Sequence, residues 1–167
     1  MYIPYEELSA GSRVWVYQGS RAFTAEEEKV IASMLRSFCE RWEAHGQALK
    51  SSFKIEKSQF VIMTVDEDFH NPSGCSIDSS VGILRQIQST TGVDFLDRTK
   101  VSFYLDDKVT LIPLSEVKSN FISGRLHAST TTFNTLASTK AEWDANGQVS
   151  AEKSWMAKYL SKAALTS

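Results

Sequence analysis

Residues Ser73-Gly74-Cys75-Ser76-Ile77-Asp78 set a lone thiol between a glycine and a serine, just ahead of an amphipathic run. Free backbone amides at a helix start favour negative charge, a thiolate included, and glycine allows a turn that other residues resist. Cys75 there would be a more reactive thiol than most. His45 or His70 could take its proton, and Asp66 or Asp78 could orient the imidazole, the roles of a Cys-His-acid site. Ser73, Gly74, Ser76 and Asp78 would line the ligand side of the helix start, with Trp42 as a wall one turn before His45. Each residue also has a plainer reading. Cys75 could be a small buried residue while Ser76 or Asp78 caps the helix, and Trp42 continues an apolar stripe. His45 could simply sit at a helix C-terminus, where an imidazole meets the last carbonyls, and His70 in a solvated turn.

The acidic cluster Asp66, Glu67 and Asp68 is either a solvated loop or a carboxylate pair whose pKa values burial drives apart. Lys140, in Ala137-Ser138-Thr139-Lys140, could bring a cation to an anionic ligand, but an ordinary surface lysine is the expectation. His45, His70, Asp66 and Cys75 are metal-ligand types without diagnostic spacing. With neither C-x-x-C nor H-x3-H present, no metal and no cofactor is expected. Cys39, on the apolar side of a helix, reads as packing, and both cysteines read as reduced thiols.

These residues need elements to hold them. Residues 13–18, Arg-Val-Trp-Val-Tyr-Gln, read as a strand. Thr24 and Glu27 form a capping box at the start of a helix near residues 25–45. Its apolar residues Ile31, Met34, Leu35, Phe38 and Trp42 recur at the spacing of one buried face, and Gly46 ends it. A hairpin follows in Ser52–Lys57 and Phe60–Val65. Ile77, Val81, Leu84 and Ile87 then mark a second helix near 77–91, closed by Gly92. A second hairpin turns at Asp106-Asp107, a short helix starts at Ser115, and a last helix is expected within residues 150–165. The fold class is α+β: a mainly antiparallel sheet with helices on one face, a ferredoxin-like β-α-β-β-α start, then a C-terminal hairpin and short helices. That split topology would bring the first helix's end, the strand end at Asp66 and the second helix's start to one edge.

The chain of 167 residues suits a single domain over 1–167, with residues 128–167 as a candidate C-terminal extension. Eighteen basic and 20 acidic residues leave a net charge of -2, which gives no indication of nucleic acid or an anionic membrane as partner. No apolar run approaches the roughly 18 residues of a membrane span, and the N-terminal segment lacks a secretory pattern, so a cytoplasmic protein is expected.

Residues 13–18, 42–53, 65–68, 73–84 and 138–143, in that order, resemble a family of small uncharacterised proteins from Bacteroidetes. Many of its members carry the label "ABC transporter ATPase". The resemblance implies no established activity. An ATPase of that type needs G-x4-G-K-[ST] to hold nucleotide phosphates, and none of the eight glycines is followed by lysine, so the label is rejected. Three function classes follow. One is a binding or interaction module whose edge takes a small anionic ligand or a protein partner. Another is a thiol-dependent enzyme using Cys75 with His45 or His70. The third is an assembly protein that pairs with a second copy through exposed Trp143, Trp155 and Tyr159.

Overall fold

Thr24 opens the first helix as the capping box requires: its hydroxyl accepts from Glu27 N at 3.1 Å and Glu27 Oε1 accepts from Thr24 N at 2.9 Å. In a computed structural model, which describes residues 1–160, the elements are β1 (Arg13–Gln18), α1 (Ala25–Arg41), β2 (Glu43–Ala44), β3 (Gln47–Ala48), β4 (Ser51–Glu56), β5 (Phe60–Val65) and α2 (Gly74–Thr91). There follow β6 (Lys100–Leu105), β7 (Lys108–Pro113), α3 (Leu114–Ile122), β8 (Thr131–Phe133), α4 (Lys140–Asn146) and β9 (Gln148–Ser150). Of the last helix expected within residues 150–165, Ser150 ends β9, Ala151–Lys153 form a single 3-10 turn and helical backbone is present at residues 157–160, while residues 161–165 lie outside the described residues.

The protein is α+β with antiparallel sheets, and the chain divides into two compact units. Residues Met1–Asp97 with Thr135–Asp144 form the first, and Arg98–Asn134 with the residues from Ala145 onward form the second. The candidate extension is therefore shared between them, with 135–144 returning to the first unit.

In the first unit the sheet order is β1-β5-β4, every pairing antiparallel. β5 is central, and its sequence Phe-Val-Ile-Met-Thr-Val is buried at every position. Val61, Met63 and Val65 face the helices and join Ile31, Leu35 and Phe38 of α1 and Ile83, Leu84 and Ile87 of α2 in one core. Each such side chain, fully buried, contributes about 1.5–3 kcal/mol of hydrophobic stabilisation. On the opposite face Phe60 meets Trp143, ring centroids 6.4 Å apart. This β1-α1-β4-β5-α2 order, with β5 inserted between β1 and β4, is consistent with a ferredoxin-like arrangement. The outer edge of β1 is taken by the returning segment: Thr139 bridges Arg13 antiparallel and Val14 N donates to Ser138 O at 3.0 Å.

The second unit carries a sheet of order β7-β6-β8-β9. Its hairpin turns through Asp106 and Asp107, both with positive φ (50° and 61°), the twist a two-residue loop needs. Val117 and Phe121 of α3 pack with Phe103, Ile112, Leu126, Ala151 and Met156. Leu114, not Ser115, begins α3 directly after Pro113, without a side-chain cap.

Two further expectations need correction. α1 stops at Arg41, and Glu43–Ala48 fold into a small hairpin whose tip is His45 (φ 51°) and Gly46 (φ 76°). Gly46 serves a tight turn there and does not terminate the helix. Trp143, expected to be exposed, is 2% exposed, because the segment bearing it folds back onto Phe60.

Candidate functional site

Trp42 closes α1 in an extended conformation (φ -67°, ψ 126°), which aims its indole at the start of α2. Nε1 donates to Ser76 O at 2.9 Å, and the ring lies 4.9 Å from Phe38 and 6.1 Å from Trp15, centroid to centroid. The indole is thus core and tie at once, joining the two helix ends that the topology expected at one edge.

α2 begins three residues earlier than its apolar periodicity suggested, because Ser73 caps it. Ser73 Oγ accepts from Ser76 N at 3.1 Å, while Ser76 Oγ accepts from Ser73 N and donates to Ser73 O at 2.7 Å. Ser76 is 2% exposed and consumed by these bonds. Gly74 does not make the glycine-dependent turn that the sequence allowed: its φ is not positive, and it is an ordinary first helical residue facing open space. Cys75 is exposed, contrary to the packing reading, and Asp78 is exposed as well. The amides of Gly74 and Cys75 make no hydrogen bond to a described residue.

Asp66 is buried and already occupied. Its Oδ1 accepts from Asp68 N at 3.0 Å, Oδ2 lies 3.9 Å from Lys50 Nζ, and its carbonyl accepts from the amides of Phe69 and His70, each at 3.3 Å. The carboxylate organises the loop between β5 and α2. Glu67 faces Arg13 at 3.5 Å. His45 is exposed at its hairpin tip and His70 half-buried in the loop, and no hydrogen bond among the described residues joins either imidazole, or Asp66, to Cys75. Nor do three or more His, Cys, Asp or Glu residues among those described gather as a metal site.

What does open beside the Trp42 tie is a cleft of about 390 Å³, lined by Phe38, Arg41, Trp42, Glu43, Ser79, Gly82, Ile83 and Gln86. Its volume falls within the roughly 300–1,000 Å³ of small-molecule sites. The C-terminal end of α1 supplies one wall and the middle of α2 the other. Of the candidates named from sequence only Trp42 lines it. Cys75 stands one turn beyond the lining: residues 75, 79, 82 and 86 follow the i, i+4, i+7, i+11 spacing of one helical stripe. Gly82 is informative. It sits inside a helix, at a cost of about 1 kcal/mol relative to alanine, yet a Cβ built on it would meet nothing within 4 Å. No close backbone approach requires the glycine, and the space it leaves belongs to the cleft. That glycine within the polar stripe was the signal sequence reasoning passed over, having followed the helix start instead.

Lys140 is not the exposed lysine expected. Its side chain is 12% exposed, with Nζ 3.3 Å from Asp144 Oδ2 and 4.9 Å from the Tyr5 ring centroid. Tyr5 OH donates to Asp144 Oδ1 at 2.7 Å, and burial, then this carboxylate, raises the phenol well above its ordinary pKa. The group is a clasp holding α4 to the N-terminal segment.

Compared with protein-family models, curated proteins and solved structures, the chain matches none. No helix among the described residues is long and apolar enough to cross a membrane.

Proposed function

We propose that the first unit is a binding module and that its ligand site is the cleft between the end of α1 and the middle of α2, taking a small molecule with an apolar body and an anionic group. The observation that carries this reading is the lining itself. Phe38, Trp42 and Ile83 give an apolar floor, Gly82 leaves room above α2, and Arg41 supplies a guanidinium at the lip. Arg41 lies over the Phe38 ring, Cζ to centroid 5.8 Å, and makes no ion pair with a described residue. A planar fork in that setting suits a carboxylate. The unpaired amides of Gly74 and Cys75 lie one turn further along the stripe and add to the favourable potential for negative charge. Binding is better supported than thiol chemistry, because Cys75 heads this stripe without a hydrogen-bonded base.

The test uses 3-phenylpropanoate and its neutral amide, followed by the amide resonances of Ser79, Gly82 and Gln86 and the indole resonance of Trp42. Saturable shifts with the carboxylate, weakened about tenfold or more in Arg41→Gln, are expected, since a hydrogen bond to a charged group contributes about 1.5–3 kcal/mol. Gly82→Leu should block binding while the fold persists. Shifts that do not saturate, or that survive Gly82→Leu unchanged, would remove the cleft as the site.

A further inference from the structure

The lip of the cleft carries charge of both signs. Arg41 and Glu43 flank Trp42, both are exposed, both line the cleft, and neither makes an ion pair with a described residue or with the other. Arg41 ends α1 and Glu43 begins β2, so a helix end and a strand start fix their backbones on either side of the buried, hydrogen-bonded Trp42. A ligand carrying only a carboxylate would meet Arg41 favourably and Glu43 unfavourably. One carrying an ammonium beside its carboxylate satisfies both. The apolar floor of Phe38, Trp42 and Ile83, with the room above Gly82, then receives a hydrocarbon body, and Gln86 can donate or accept at the far side.

We infer that the cleft takes a free α-amino acid with an aromatic or branched aliphatic side chain, its carboxylate at Arg41 and its ammonium at Glu43. This rests on the reading of the cleft as the ligand site. It adds a discrimination which that reading does not contain: the α-ammonium, not the carboxylate alone, is recognised. Removing Glu43's charge should therefore change the ranking of ligands rather than abolish all binding.

L-phenylalanine and 3-phenylpropanoate differ only by the ammonium group, which makes them the decisive pair. Titrations of the whole chain, read at the Ser79, Gly82 and Gln86 amides, should give phenylalanine an advantage of about tenfold or more over 3-phenylpropanoate. In Glu43→Gln the ratio should fall close to one, with 3-phenylpropanoate bound no more weakly than before. N-acetyl-phenylalanine, which keeps the carboxylate and loses the positive charge, should bind like 3-phenylpropanoate. Equal affinity of the wild type for phenylalanine and 3-phenylpropanoate, or a preference that Glu43→Gln leaves intact, overturns the amino-acid inference while the cleft stands as an anion-binding site. If neither compound gives a saturable shift, the cleft reading falls and this inference with it.

Discussion

Cys39 and Cys75 place the same thiol in opposite surroundings. Cys39 is fully buried among Ile31, Leu35 and Phe38, and burial pushes its thiol up to about 12. Cys75 is exposed near the start of α2. A disulfide-exchange reagent such as 5,5′-dithiobis(2-nitrobenzoate) should therefore titrate one thiol in the folded protein, and the second only on unfolding. Cys75→Ser should shift stability by no more than about 0.5 kcal/mol, whereas Cys39→Ala, which empties the space of a fully buried sulfur, should cost about 1–3 kcal/mol. Denaturant melts of the two variants, with the thiol count, check this; two fast equivalents in the native protein would contradict it. The burial of Cys39 was legible in the sequence, because it lies on the apolar side of the first helix; the exposure of Cys75 was not, because a thiol in the first turn of α2 can face either way until that helix is set against the sheet.

At the scale of elements, one ion pair joins two helix ends. Arg21 grips Glu27 through Nη1 and Nη2, each at 2.8 Å, and Nη2 also donates to Thr91 O at the end of α2 at 2.8 Å. The guanidinium, then the backbone amide of Thr24, pulls the Glu27 carboxyl down to about 2. A depressed folded-state pKa means that the contribution is complete above the unfolded carboxyl's ordinary value of 4.5 and is lost as pH falls toward about 2. Glu27→Gln should accordingly lower the melting temperature near neutral pH, and the gap to wild type should close between about pH 5 and about pH 2. Thermal melts across that range are the measurement; a gap independent of pH would mean that the charge contributes nothing. The Thr24 and Glu27 box was legible in sequence because capping is local. The other end of the helix was not, since Gly46 marks a helix stop and a two-residue hairpin tip equally well. Two-residue strands such as β2 and β3 also have no periodicity to read. The same ambiguity displaced the candidate site. It put His45 at a helix end and drew attention to the start of α2, while Arg41, Glu43, Gly82 and Gln86, which line the cleft, looked like ordinary surface residues.

At the scale of the whole molecule, the first unit is completed by a segment that follows it in sequence only after a long excursion. The α1, α2 and hairpin elements within residues 1–97 follow local patterns, and their α+β order was readable. The return of residues 135–144 was not, because nothing in a Ser/Thr-rich run shows which strand edge it will cover. That return is extensively bonded. Val14 N donates to Ser138 O at 3.0 Å, Lys140 N to Ser12 O at 2.8 Å and Ala141 N to Ala10 O at 2.9 Å. Tyr5 and Asp144 close the clasp, and Trp143, 2% exposed, fills the sheet face at Phe60. Truncating a buried tryptophan to alanine costs about 3–5 kcal/mol, a large share of the roughly 5–15 kcal/mol that holds a typical domain. A chain ended at Asp97 loses Trp143 together with those backbone bonds and leaves the edge of β1 bare. It should show no cooperative thermal transition and little near-ultraviolet dichroism, whereas full-length Trp143→Phe, which keeps an aromatic ring against Phe60, should melt cooperatively at a reduced temperature. A 1–97 fragment that melts cooperatively at the full chain's temperature would show that the first unit does not need the returning segment, and that the clasp of Tyr5, Lys140 and Asp144 adds nothing to its stability.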